Sequence, residues 1–200
     1  TLVRPVALAG TLVVAALSVV LYLGFDSGTA AYQFEEKVAW IETFSVYYHL
    51  GIDGLALPLI LLTNLIGILV VIGGWGITDR PHLYLAAFLV LQGLMVGVFA
   101  AMDAMLFYVF FEAMLVPMFL IIGIWGGPNR IYATIKFFLF TFFGSVFMLI
   151  ALIWMYLNGG SFQITDLHQL PIPLNAQILV FLAFLIAFAV SRPRADICRK

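Results

Sequence analysis

The chain has 200 residues, 64% of them hydrophobic and 10% charged, where globular domains carry roughly 45–50% and about 25%. With a mean hydropathy of +1.15 this excludes an ordinary soluble domain and marks a membrane protein. A net charge of −1 excludes nucleic acid as a partner, and the single Cys198 excludes an internal disulfide, a cysteine zinc site and an iron–sulfur cluster.

The chain begins at Thr1, so it is expected to start inside a longer reading frame. Six apolar runs follow, at 5–25, 55–77, 83–102, 104–125, 131–157 and 174–190. A spanning helix needs about 20 apolar residues. The first five runs reach that length, and the last, with 17 residues before Ser191, crosses only with thinning or snorkelling. Alternating segments of about 10 residues would mark a β-barrel, and none is present. The expected class is all-α, a polytopic transmembrane helix bundle of about six helices. The first run is too long for a signal-peptide core of about 7–15 residues and reads as a membrane helix.

The connectors differ in kind. Residues 26–54 form a long aromatic, acidic loop in which 46–50 has the pattern of a short strand, with a turn at Gly51, Asp53 and Gly54. The turns at 78–82, 103 and 126–130 are short, so runs two to five are antiparallel neighbours. The 158–173 loop carries a short amphipathic stretch at 165–170, closed by Pro171 and Pro173. On alternate sides, Arg4, Arg80, Arg130, Arg192, Arg194, Arg199 and Lys200 stand against Lys37 alone. That bias puts both termini on the cytoplasmic or matrix side.

Ionisable residues inside the runs carry the chemistry. Glu112 lies roughly 12 Å into its run by helical rise, too deep for a short side chain to snorkel. Burial disfavours its charged form unless a cation or water lies beside it, which suits a proton relay. The alternative is a permanently protonated acid that holds helices together. Pro117 frees the carbonyl of residue 113, next to the acid. Lys136 lies roughly 9 Å into its run, within reach of the headgroups, and shares a face with Tyr132. Thr134, Thr141 and Ser145 form a polar stripe facing other helices, as glue or as a water lining. Asp103 is expected to cap the helix that follows it. Gly93 and Gly97 have close-packing spacing. His49, His82 and His168 fall in loops or at helix ends and point to no haem. Gly73, Gly74 and Gly76 lack dinucleotide-binding spacing.

Three segments resemble one family. Residues 48–63, YHLGIDGLALPLILLT, 108–127, YVFFEAMLVPMFLIIGIWGG, and 133–145, ATIKFFLFTFFGS, are similar to the M-type (chain 4) antiporter-like membrane subunit of NADH-quinone oxidoreductase, respiratory complex I. The likeness runs from about residue 2 to Val190, and FFEAMLVPM separates this subunit from its L-type, N-type and Mrp-type relatives. The resemblance implies a fourteen-helix antiporter-like fold with two inverted five-helix repeats, of which this chain spans roughly helices two to seven. It also implies that quinone reduction elsewhere in the complex drives protons along a midplane chain of Glu, Lys and water. On that comparison Glu112 is the glutamate of the fifth helix and Lys136 the lysine of the sixth.

The implied role is therefore that of a translocase subunit of an enzyme. No cofactor is bound by this chain, and NADH and a quinone such as ubiquinone are used by the complex. Its partners are the other membrane subunits and the lipid bilayer, in a bacterial inner or mitochondrial inner membrane. Alternatives are an Mrp-type cation/proton antiporter subunit and a purely structural membrane subunit. One departure stands out: after Val190 the family continues with a lysine, whereas here Ser191 opens a basic tail at 191–200 unlike the family. The change is read as a frameshift or chimeric end, and a chain without that lysine is expected not to pump alone.

Overall fold

In lipid every backbone N–H and C=O must be satisfied within the protein, so long apolar runs fold as helices. The computed structural model describes residues 2–29 and 31–190. The basic tail at 191–200, including Ser191, lies outside the described residues. Helix α1 covers Val3–Leu23, α2 Ala56–Gly73, α3 Pro81–Ala100, α4 Ala104–Ala113, α5 Leu115–Trp125, α6 Arg130–Gly159, α7 Ile164–His168 and α8 Leu174–Val190. Taking α4 and α5 as one span, five segments among the described residues are long and apolar enough to cross a membrane, and α8 is a shorter apolar helix. The polytopic helical class is the observed one. Helix α1 packs against α2 and α3, with Ala7, Thr11 and Ser18 buried. It is an integral part of the bundle.

The loop at 26–54 is more ordered than its composition suggests. Strand β1, Gln33–Ile41, pairs antiparallel with β2, Val46–Ile52, placing Lys37 opposite His49 and Ala39 opposite Tyr47. The pattern at 46–50 foreshadows β2 but not its partner. The physical reason is that β1 is exposed almost throughout, so it has no buried face to imprint an apolar alternation, whereas β2 buries Val46, His49, Gly51 and Ile52. Likewise the amphipathic stretch after α6 forms only the short α7.

The connectors gather at two ends. At the basic end the Arg4 guanidinium donates to the Ile77 carbonyl at 3.0 Å, Trp125 Nε1 to the Asp79 carbonyl at 2.8 Å, and Arg130 Nη1 to the Ile124 carbonyl at 2.7 Å. At the hairpin end Met102 N donates to the His49 carbonyl at 2.9 Å, and Ala104 N to the Phe162 carbonyl at 2.8 Å. Between the ends, Met148, Leu152 and Met155 of α6 form a core with Ala104 of α4 and Ala187 of α8. That packing holds α4 against α6 on the hairpin side of the polar stripe.

Candidate proton relay

The span from Ala104 to Trp125 is interrupted at Met114, two residues after Glu112. Pro117 has no N–H to give the carbonyl of Ala113, and the ladder resumes with Met118 N donating to Met114 O at 3.3 Å. Met114 keeps helical dihedrals, φ −63° and ψ −24°, so the ladder is interrupted without the backbone unwinding. The proline thus leaves a polar backbone group one residue from the acid.

Glu112 is half-buried, and its Oε1 is enclosed with no hydrogen-bond partner. One turn back, Tyr108 lies beside both Glu112 and Ser145 of α6. An orphaned carboxyl oxygen whose group adjoins one hydroxyl, itself next to a second, is an arrangement in which a proton has somewhere to go.

The polar stripe faces inward as its spacing predicts: Thr134, Thr141 and Ser145 are all buried. Each hydroxyl donates back to its own helix, to the carbonyls of Arg130, Phe137 and Phe142 at 2.6–2.8 Å. The donor protons are therefore spent locally, and the oxygen lone pairs remain to accept from a neighbour. By helical rise from the basic end, Thr141 lies at about 16 Å, Glu112 at about 19 Å and Ser145 at about 22 Å. The acid is level with the stripe.

Lys136 is half-buried and stands at about 9 Å on the same scale, roughly 10 Å nearer the basic end than Glu112. Its Nζ lies 5.7 Å from the centroid of the Tyr132 ring, one turn toward that end. The structure does not bring Lys136 and Glu112 into contact; it sets Tyr108 beside Glu112 and also beside Ser145. Tyr108 stands four residues before Glu112, a same-face spacing that could have found it; its contact with Ser145 comes from the facing helix and has no such signal.

A cavity of about 740 Å³ runs from Asp53 and Ile164 at the hairpin end to Phe137 and Thr141. Phe111, Met114 and Leu115 line it on either side of Glu112, which does not, and Asp53 and Thr141 are its two polar residues. Its lining beside Glu112 is apolar, whereas Tyr108, next to the acid, also neighbours Ser145.

Other sequence expectations fare unevenly. Asp103 caps α4, accepting from Met105 N and Leu106 N. Asp53 does the same before α2, its Oδ1 accepting from Leu55 N and Ala56 N. Of the glycine pair, Gly97 packs closely, since an added Cβ would come within 3.0 Å of the Phe110 ring, while Gly93 faces open space. Three features had no sequence signal: a buried Gln92 Nε2 to Asn64 Oδ1 bond of 2.9 Å between α3 and α2, the buried Gln163, and the burial of His49 against it.

Residues 101–197 match the protein family described as "NADH:quinone oxidoreductase/Mrp antiporter, TM". The NADH-quinone oxidoreductase subunit M of Rhodobacter capsulatus is 45% identical over 94% of this chain and 39% of its own length. Over residues 101–197 the chain carries this family's membrane region, and along nearly its whole length it is similar to M subunits. It spans about two-fifths of the length of such relatives. In the respiratory complex I of Thermus thermophilus one chain superposes with a TM-score of 0.83 at 32% identity, covering 93% of this chain and 39% of that one. The Mrp complex of a Dietzia species shares the fold alone, with a TM-score of 0.76 at 19% identity over 94% of this chain and 23% of the other. The resemblance drawn from FFEAMLVPM thus points to the same subunit that the overall similarity selects.

Proposed function

We propose that this chain is proton-conducting membrane machinery of an NADH:quinone oxidoreductase and that Glu112 is the group that carries the proton. The observation behind this reading is the enclosed Oε1 of Glu112, without a hydrogen-bond partner, in a carboxyl group beside Tyr108, which in turn neighbours Ser145, one residue from a carbonyl freed by Pro117. A carboxyl so placed cannot exchange with bulk water directly and must trade its proton with buried partners. Lys136 serves the same path from the basic side, its cation at the far end of the stripe from the acid. The chain itself holds no redox centre; NADH and quinone react elsewhere in the complex, and its neighbours are the other membrane subunits. The basic end faces the cytoplasm or matrix.

The test is Glu112→Gln in the membrane complex that carries this chain, read as NADH-driven proton uptake by inverted vesicles. Uptake is expected to collapse while assembly of the complex is unchanged. Unchanged uptake would reduce Glu112 to a packing residue. The family match spans Mrp antiporters as well, so proton exchange that requires sodium instead of NADH would transfer the reading to that branch.

A further inference from the structure

A second polar centre lies at the hairpin end, apart from Glu112. Asp103 is fully buried, and four donors converge on its carboxyl group: Met105 N at 2.9 Å, Leu106 N at 3.2 Å, Tyr47 N at 3.2 Å and Gln163 Nε2 at 3.1 Å. A carboxylate only accepts, so Gln163 must turn its amide nitrogen to Asp103 and its carbonyl oxygen away. That oxygen meets His49 Nδ1 at 2.5 Å. Because a carbonyl also only accepts, Nδ1 must carry a hydrogen.

The tautomer is thereby fixed from outside the ring. In a neutral imidazole Nε2 is then a bare lone pair, and here it is enclosed with no hydrogen-bond partner. What it faces is another acceptor, Glu35 Oε2, at 3.8 Å. Both ring nitrogens therefore look at acceptors, and a doubly protonated ring gives Gln163 a donor and Glu35 an opposite charge at ion-pair distance.

We propose that His49 is a proton-binding site at the hairpin end, holding its proton between Gln163 and Glu35 and exchanging it with water through Glu35. The Glu35 side chain is half exposed, so the site has a solvent-facing outlet. Charged groups around the ring come from each element packed on it. Strand β1 supplies Glu35 and, directly opposite His49, Lys37, whose Nζ is turned over the Tyr47 ring at 4.5 Å from its centroid. The head of α4 supplies Asp103 through Gln163. A proton on Nε2 ties β1 to the corner between α3 and α4, because Met102 N already bonds the His49 carbonyl at 2.9 Å. Nothing in this site depends on Glu112.

Nitrogen-15 histidine NMR on the chain in lipid bilayers tests the proposal, with His82→Gln and His168→Gln leaving His49 as the only histidine. Above about pH 8 the neutral ring is expected as the Nδ1–H tautomer, and near about pH 6 both nitrogens are expected to carry hydrogen. Glu35→Gln should cut the doubly protonated fraction at that lower pH by about half or more, and Glu36→Gln should leave it unchanged. An Nε2–H tautomer in the otherwise unaltered site overturns the proposal, and needs no variant of the network to be seen. So does a doubly protonated fraction indifferent to Glu35→Gln, or a ring that stays neutral at the lower pH.

Discussion

Asp103 and Glu112 stand nine residues apart on one span and have opposite surroundings. The first is met by four donors; the second has an enclosed oxygen without a hydrogen-bond partner, in a carboxyl group whose polar neighbour is Tyr108. The difference separates a carboxyl group that builds the fold from one that is available for chemistry. Asp103→Ala strands buried N–H groups from α4, β2 and Gln163, each worth about 1–3 kcal/mol when left unpaired. Because the losses share one site they will not add in full, and a destabilisation of about 3 kcal/mol is expected. Glu112→Gln keeps the shape and should stay within about 0.5 kcal/mol. Reversible unfolding in detergent compares the two, and equal losses would remove the distinction. Both acids were legible in the sequence, one as a polar residue heading an apolar run and the other as a charge inside one. The setting of His49 was not, because its partner Gln163 is 114 positions away and no local pattern encodes it.

Among the elements, legibility follows from whether a segment buries a face. The apolar helices announce themselves by length, and Pro117 announces the interruption at Met114 beside it. Strand β1 buries almost nothing and is set by pairing with β2, so its residues read as loop. Helix pairing is harder still. Gly97 meets Phe110 whereas Gly93, one turn earlier, meets nothing, although the two have identical sequence credentials. Helices α2 and α3 instead meet through Gly67, where an added Cβ would strike the Gln92 amide bonded to Asn64. Interhelical hydrogen bonds in membranes average about 0.6 kcal/mol and reach at most about 1.7. Gln92→Leu should therefore cost little more than that range when measured by steric trapping in bilayers. Gly67→Val forces the amide out of its place and adds overpacking of about 1–3 kcal/mol, so it should be the worse substitution of the two. The reverse order would mean that the bond, and not the close approach of the helices, holds α2 to α3.

For the molecule as a whole, the arrangement of its two ends decides what the relay can do. Arg4, Arg80 and Arg130 belong to connectors that hydrogen bonds draw together at one end, while the hairpin, Asp103 and Gln163 meet at the other. Charge counting alone separates these sets, which is why the order of crossings was legible from Lys and Arg positions. Glu112 sits between the ends, nearer in depth to the stripe of α6 than to either surface. On the proposed function a proton reaches it from one end and leaves by the other, and the direction depends on which end faces the cytoplasm or matrix. The positive-inside bias assigns the arginine end to that side. In bacterial cells carrying Cys198→Ser, a cysteine at Ser27 should react with an impermeant maleimide added outside, whereas one at Thr78 should react only after the membrane is opened. Ser27 lies beside the hairpin and Thr78 in the turn before α3, so neither substitution enters the bundle. Labelling in the opposite order would place His49 and Glu35 on the cytoplasmic side. The hairpin site would then belong to proton uptake, and Lys136 would lie on the release side of Glu112.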